Sequence, residues 1–255
     1  MPEIKIQYCS DLHLEFPLNK EFIIENPLRP LGDILLLAGD IVPFDIIEEH
    51  NDFFDFISAT FKTAYWLPGN HEYYHFNLAD KEGSFCEQIR ENVFLVNNYV
   101  ARHDHVKFIF STLWTRIGKL NERVIQRGMN DFYQIKYRDN RFTPADFNRI
   151  HKESKSFIQL ELAKNNSEKT VVATHHVPTL INYPEKYRGT ILNEAFAVEM
   201  FDTIEDSNVD YWIYGHHHIN TPPFTIGKTE LLTNQVGYVS HNEHKEFNNA
   251  AVFSV

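Results

Sequence analysis

The chain has 255 residues, 43% of them hydrophobic, and carries a net charge of −11. That length suits one large α/β domain or two small ones, and the apolar content supplies a sizeable core and excludes global disorder. The acidity opposes a long nucleic-acid footprint built on phosphate contacts, but bound cations reverse the sign locally and leave a small phosphorylated substrate open.

Residues 4–9 alternate charged and apolar side chains and predict a first strand. Residues 33–38 form an aliphatic run that suits a strand buried on both faces. Apolar residues recur at helical spacing between 46 and 61, through Ile46, Ile47, Phe53, Phe54, Ile57 and Phe61. A third strand over 63–67 is stopped by Pro68-Gly69, a helix is expected over 84–92 and a strand over 93–96. The first hundred residues thus read β-α-β-α-β and predict a mostly parallel sheet with helices on its faces. A further strand spans 106–110. Residues 116–141 are then polar, basic and aromatic with weak periodicity, and the stretch near 112–150 reads as an insertion over the functional site of one domain. Thr143-Pro144-Ala145-Asp146 starts a long helix running to about 165, with Thr at the cap and Pro in the first turn. Strands over 170–173 and 209–214 flank a helix near 194–204, and short strands close the chain around 229–233 and 250–253.

Cys9 and Cys86 are too few for a disulfide framework and lack CxxC spacing; both are expected as buried thiols, Cys86 on the helix over 84–92. The first residues show no signal-peptide apolar region and the longest apolar runs fall short of a bilayer. A cytoplasmic protein without membrane contact is expected.

Five polar fragments each follow a predicted strand: Asp11-Leu12-His13, Gly39-Asp40, Gly69-Asn70-His71-Glu72, Thr174-His175-His176 and Gly215-His216-His217-His218. Ligands in an open α/β sheet bind at the carboxyl ends of strands, so these fragments gather Asp, Asn and His side chains in one place. Imidazole and carboxylate without thiolate suit Mn, Fe or Zn. The set is rich enough for two divalent ions sharing a carboxylate, an arrangement that hydrolyses phosphate esters. One Asp-x-His or Gly-Asp arises easily by chance; five fragments in order at strand ends do not.

The series resembles the calcineurin-like metallophosphoesterase superfamily from residue 4 to about 240. Thr112-Leu113-Trp114-Thr115, Asn130-Asp131, Thr174-His175-His176-Val177-Pro178 and Asn234-x-x-Gly237-Tyr238 resemble a bacterial branch of it. The resemblance implies a four-layer α/β/β/α sandwich of the metallo-dependent phosphatase type. It implies that Asp11, His13 and His218 bind a first metal, that Asp40 bridges to a second, and that Asn70, His175 and His216 complete the second. His71 would bind no metal and would act beside the substrate phosphate as general acid or charge stabiliser. The activity implied is hydrolysis of a small phosphodiester or phosphomonoester, a nucleotide among the candidates, by a hydroxide bridging the two ions. The alternatives are a nuclease of the same superfamily, which the basic stretch 116–141 favours and the net charge opposes, and a non-catalytic protein-binding scaffold, which the presence of His71 opposes.

The chain departs from the protein Ser/Thr phosphatases of the superfamily. Their Asp-Arg pair after the bridging Asp and their Arg before Gly-Asn-His are here Pro43, Phe44 and Pro68. A phosphoprotein substrate is therefore disfavoured, and His71 needs another orienting group; Glu72, Asp45 and a backbone carbonyl are the candidates. Arg116, Arg127 and Arg188 are candidate phosphate clamps, although each is more readily read as solvated charge. Trp114 is expected in the core or on a pocket wall, Asn234 and Tyr238 in a turn or supporting the site. His176 and His217 are expected to point away from the metals, and His75, His103, His105, His241 and His244 to be ordinary surface or core histidines.

Overall fold

The structure, a computed structural model, describes residues 3–164 and 168–255. Its elements run β1 (Lys5–Cys9), α1 (Pro17–Glu25), β2 (Ile34–Ala38), α2 (Asn51–Thr60), β3 (Thr63–Leu67), β4 (Phe85–Arg90), β5 (Val93–Asn97), β6 (Tyr99–His103) and β7 (Val106–Ser111). They continue with α3 (Glu122–Gly128), α4 (Asp131–Gln134), β8 (Lys136–Tyr137), β9 (Asn140–Arg141), α5 (Pro144–Leu162), β10 (Lys169–Thr174), α6 (Asn193–Phe196), α7 (Phe201–Glu205), β11 (Tyr211–Ile213), β12 (Phe224–Ile226), β13 (Thr229–Leu232) and β14 (Val252–Ser254).

Two six-stranded sheets result, in the orders β14-β1-β2-β3-β5-β4 and β12-β13-β11-β10-β7-β6. In each, four parallel strands are flanked by an antiparallel strand at either edge. Strand alternation decides the layers. Leu36 and Ala38 of β2 pack with Phe108 and Phe110 of β7 between the sheets, and Tyr65 lies across Phe110 with ring centroids 4.9 Å apart. Leu35 and Leu37 point the other way, onto Phe54 and Ile57 of α2, where Trp66 meets Phe54 at 5.1 Å. On the far side, Ile109, Val172 and Trp212 pack against Ile158 of α5 and Ile204 of α7. The layers are therefore helix, sheet, sheet, helix, as expected.

α5 begins at the expected cap: Asp146 N donates to Thr143 Oγ1 (3.3 Å) and Thr143 N donates back to Asp146 Oδ2 (3.1 Å), a capping box with Pro144 in the first turn. It ends at Leu162, and the expected last residue, 165, lies outside the described residues. The region 112–150 folds as α3, α4, the β8–β9 hairpin and the start of α5. Its Ile125, Phe132, Phe142 and Phe147 close around Trp114, which is core and not pocket wall.

Several expectations fail. Residues 84–92 form no helix; β4 pairs antiparallel with β5 as the edge of the first sheet, and its register shifts between Gln88 and Arg90, which spoils the alternation that would have marked a strand. Cys86 consequently lies exposed on an edge strand, whereas Cys9 is buried. The helix expected over 46–61 begins only at Asn51, because Ile46 breaks the preceding turn with non-helical backbone angles. The helix near 194–204 is two short ones, α6 and α7. α1, β6 and β12 were not foreseen; α1 leaves Leu18 and Ile24 exposed, which blurs its apolar stripe.

Lys107 is the one buried lysine among the described residues, 1% exposed, and its Nζ donates to the Glu161 carbonyl (2.8 Å) in the last turn of α5, 3.3 Å from Glu161 Oε2. A cation suits a helix C-terminus, but burying it is costly. Lys107→Met should therefore shift stability by no more than about 1 kcal/mol, whereas Lys107→Ala should cost roughly 2–4 kcal/mol by leaving a cavity; urea midpoints of the two variants check this.

Candidate metal centre

Each of the five fragments leaves the carboxyl end of a parallel strand: β1, β2, β3, β10 and β11. The turns are tight. Asp11, His13, Asp40, His216 and His218 all have positive φ, between 48° and 79°, an arrangement that side chains other than glycine seldom adopt. Cross-links between the turns hold them there: Asp11 N donates to the Gly39 carbonyl (2.9 Å), His13 N to the Asp40 carbonyl (2.9 Å) and Gly215 N to the His175 carbonyl (3.0 Å). Gly39 combines a φ of 89° with a position where a Cβ would strike the His175 ring, and a Cβ on Gly215 would strike Asp11. Only glycine fits either place.

The side chains converge in two groups that share Asp40. In the first, donor atoms of Asp11, His13, Asp40 and His218 lie within 4.8 Å of one another. His13 Nε2 is 3.0 Å from His218 Nε2 and 3.8 Å from Asp40 Oδ2, and His218 Nε2 is 3.3 Å from Asp11 Oδ1. In the second, Asp40, His175 and His216 converge; His175 Nε2 is 3.4 Å from Asp40 Oδ2, 3.1 Å from His216 Nδ1 and 3.2 Å from Asn70 Oδ1. All seven residues named from sequence thus come together.

The far side of each group is oriented. His13 Nδ1 faces Glu15 (3.1 Å), His218 Nδ1 faces Glu243 (2.8 Å) and His175 Nδ1 faces the Ala38 carbonyl (3.0 Å), leaving each Nε2 lone pair free for a cation. Asp131, at the start of α4, accepts from Asn70 Nδ2 (2.9 Å) and Tyr74 Oη (2.8 Å), which turns the Asn70 carbonyl oxygen toward His175. Glu72 does not orient His71. Its carboxylate accepts from Asp40 N (2.9 Å), Gly69 N (2.7 Å), Ile41 N (2.7 Å) and Trp66 Nε1 (2.9 Å), clamping the turns after β2 and β3 together. Burial and the neighbouring Asp40 push its pKa up to about 7 against those four donors.

His71 is oriented by Glu15, which the sequence reading did not consider. His71 Nδ1 lies 2.9 Å from Glu15 Oε1, the same oxygen that faces His13, and its Nε2 points to the Tyr238 hydroxyl at 3.3 Å. Its ring stacks on Tyr74 with centroids 4.1 Å apart, and its backbone N–H donates to Asp40 Oδ1 (2.9 Å), leaving Oδ2 to the two groups. Burial opposes charge on His71, but Asp40 and Glu15 outweigh it and raise its pKa. Burial likewise opposes charge on Glu15, yet His13 and His71 hold its pKa down at about 2. Glu15 lies two residues beyond His13, but its approach to His71 follows from the tertiary fold and from no local pattern. Asp131 opens α4 and was marked in the sequence only through the Asn130-Asp131 resemblance, and nothing local marked Glu243.

The donor set fits divalent cations on its own terms. Asp11 and Asp40 are 0% and 1% exposed, and buried carboxylates require positive charge or dense hydrogen bonding. Imidazole nitrogens that face each other at 3.0–3.1 Å suit lone pairs sharing a cation better than a hydrogen bond. Burial would lower the pKa of His175 and His218, but Asp40 raises the first to about 9, and Asp11 and Glu243 raise the second to about 10. The site's preference for positive charge is plain.

A cavity of about 460 Å³ opens above the centre. Met129, Asn130 and Asp131, at the junction of α3 and α4, form one wall, Tyr183, Tyr187 and Phe196 another, and Tyr238, His241 and Glu243 of the tail a third. Among the described lining residues Lys186 is the one lysine or arginine; Arg116, Arg127 and Arg188 do not line it, and Arg188 pairs with Glu185 at 2.9 Å. His176 donates to the Thr112 carbonyl at 3.1 Å, and burial and His175 push its pKa down to about 3. Asn234 stitches the tail to β1 through the Tyr8 carbonyl. Tyr238, by contrast, stands at the centre.

A family model described as calcineurin-like phosphoesterase matches residues 4–220. The chain is 32% identical over 276 residues to uncharacterized protein L509 of Acanthamoeba polyphaga mimivirus, covering 98% of this chain and 96% of the relative. Among solved structures it is similar to the phosphopantetheinyl hydrolase PptH of Mycobacterium tuberculosis, with a TM-score of 0.67 at 15% identity over 98% of this chain and 95% of that one. It is also similar to a dimetal phosphatase from Danio rerio, with a TM-score of 0.50 at 10% identity over 91% and 87%. These two likenesses establish the fold.

Glu72→Ala would strand four N–H donors, three of them backbone groups of the turns. It should cost more than about 3 kcal/mol and weaken binding of Mn²⁺ by roughly 10–100-fold, read by thermal melts and by titration calorimetry.

Proposed function

The chain belongs to the calcineurin-like phosphoesterase family and is a phosphate-ester hydrolase, and we propose that it acts on a small phosphodiester or phosphomonoester through a dinuclear site in which Asp11, His13 and His218 hold one ion, Asn70, His175 and His216 the other, and Asp40 both. The observation that carries this reading is the convergence of two donor groups on one carboxylate oxygen, Asp40 Oδ2, at 3.4 Å from His175 and 3.8 Å from His13. Two divalent ions bound there would acidify a water and neutralise charge on the phosphoryl oxygens. The protein groups do the rest. His71 presents Nε2 to the cavity while Glu15 holds its Nδ1, so a protonated His71 is placed to protonate the departing alkoxide. Tyr238, 3.3 Å from that nitrogen, steadies it. The inserted region covers one side and fixes Asn70 through Asp131. Manganese as the working ion and a cytoplasmic setting belong to the same reading.

The size and lining of the cavity favour a small molecule. A long nucleic acid is disfavoured, because the basic residues of 116–141 do not line the cavity and the net charge is −11. The name of the structural neighbour makes phosphopantetheine esters one class to test beside nucleotides.

With Mn²⁺, bis(p-nitrophenyl) phosphate or p-nitrophenyl phosphate should be hydrolysed; a chelator should abolish the activity and Mn²⁺ restore it. Asp40→Asn should reduce the rate by at least about a thousandfold, since it strips charge from both ions. Wild-type rates in that variant would sink the assignment. Glu15→Gln should lower kcat by roughly 10–100-fold for alkyl phosphates, whose leaving groups need a proton, and much less for p-nitrophenyl esters. Equal losses on both would mean that Glu15 only supports His13.

A further inference from the structure

The short turn Glu185–Tyr187, between β10 and α6, belongs to the aromatic wall of the cavity. It is held at both ends: Tyr187 N donates to the Pro184 carbonyl (2.9 Å), and Asn193 Nδ2 donates to the Tyr187 carbonyl (2.7 Å). A chain of ring contacts joins it to the metal centre. Phe196 lies over the His216 ring with centroids 4.4 Å apart. His217, the next residue, meets Tyr183 at 5.8 Å, and Tyr183 meets Tyr187 at 6.5 Å. Lys186 Nζ then stands 4.9 Å from the centre of the Tyr187 ring, within the range of a cation–π contact.

A lysine on an exposed turn is ordinarily solvated charge, and three observations set this one apart. It is the one lysine or arginine among the described residues that line the cavity. It is seated on an aromatic ring of that lining. It has no carboxylate within 4.0 Å among the described residues, whereas its neighbours Glu185 and Arg188 pair with each other at 2.9 Å. The acids on the other two walls are engaged elsewhere: Glu243 Oε2 accepts from His218 Nδ1 and Tyr238 N, both at 2.8 Å, and Asp131 Oδ1 accepts from Asn70 and Tyr74. We propose that Lys186 is a specificity-determining residue that receives a second anionic group, carboxylate or phosphate, on the organic arm of an ester whose phosphate lies over the metal centre. The assignment rests on the dinuclear phosphoesterase reading and narrows its substrate class to esters carrying two anionic groups. An ammonium is a compact charge with three donors and takes either anion. Asp131 and Glu243 would repel a second anion elsewhere in the cavity, so the wall that carries Lys186 is where such a group is tolerated.

Equilibrium binding of phosphonates, whose carbon–phosphorus bond the centre does not hydrolyse, tests this independently of turnover. Calorimetry of the Mn²⁺-loaded protein at constant ionic strength would compare 3-phosphonopropionate and its longer homologues with the alkylphosphonates of equal length, and the α,ω-bisphosphonates would show which second anion is preferred. At one chain length or more the wild type should bind the doubly anionic ligand at least about fivefold more tightly than its singly anionic counterpart. Lys186→Met should abolish that ratio and Lys186→Glu should reverse it; Lys186 is exposed, so neither change threatens the fold. Lys228→Glu alters the net charge equally in the β12–β13 turn, at the opposite end of the strands from the centre, and should leave the ratio unchanged. A ratio near one at every length, a ratio that Lys186→Met leaves intact, or an equal loss in Lys228→Glu would each overturn the proposal. Failure of every phosphonate to bind would overturn it together with the metal-centre reading. Intact ratios without turnover of bis(p-nitrophenyl) phosphate would defeat the hydrolase reading alone and leave the anion site standing.

Discussion

Burial of the Asp40 carboxylate where the strand ends of the two sheets meet is the constraint that organises this molecule. A carboxylate 1% exposed needs positive charge and donors on every side. The surroundings comply: the His71 backbone N–H on Oδ1, His13 and His175 on Oδ2, and the Asp40 main chain held by Glu72. The histidines come from both sheets, so the need to satisfy one charge ties the first sheet to the second at the functional end. At the opposite extreme of polarity, Tyr65, Phe108 and Phe110 close the same interface with apolar contact. One interface therefore carries both the core of the fold and the polar centre at its rim.

The strain in this arrangement is concentrated where it is held most firmly. Five candidate-ligand positions with left-handed backbone would be unfavourable in isolated turns. They persist because each turn is hydrogen-bonded to the next and because Glu72 gathers the turns after β2 and β3 around one carboxylate. The division between the two glutamates follows from their surroundings. Glu72, surrounded by N–H donors, is a structural clamp. Glu15, facing the imidazoles of His13 and His71, controls which nitrogen of each carries the proton, and so links a candidate metal ligand to the candidate acid through one oxygen.

The sequence was most legible where chemistry and geometry coincide. The five candidate fragments were readable because strand ends, glycines and imidazoles occur together, and the parallel strands carrying them are short and largely apolar. Edge and surface elements were not. β4 sits at a sheet edge with a register shift, α1 exposes much of its apolar surface, and α6 and α7 are too short for a periodicity to develop. The orienting groups fell between these cases. Glu15 lies two positions beyond His13, yet its role depends on His71 arriving from β3, a contact that no local pattern encodes. Glu243 reaches His218 across 25 residues and Asp131 reaches Asn70 across 61. Trp114 was ambiguous because a tryptophan suits a core and a pocket wall equally until its neighbours are known; here four aromatic neighbours enclose it.

The distribution of positive charge sets the terms of recognition. Four of the chain's ten arginines are engaged in surface pairs, Arg90 with Asp55, Arg102 with Glu168, Arg149 with Glu82 and Glu153, and Arg188 with Glu185, and none of the ten lines the cavity. Such pairs contribute little to stability individually, but they leave the cavity without the guanidinium fork that would grip a phosphate from two sides. Among the described lining residues, positive charge above the centre is then confined to Lys186 and to His71, whose pKa is raised. A phosphate held mainly at the metal centre is recognised for its charge, which every phosphate ester shares. Discrimination among esters must accordingly come from the remainder of the cavity, where Tyr183, Tyr187 and Phe196 form an aromatic wall and Lys186 stands over the Tyr187 ring.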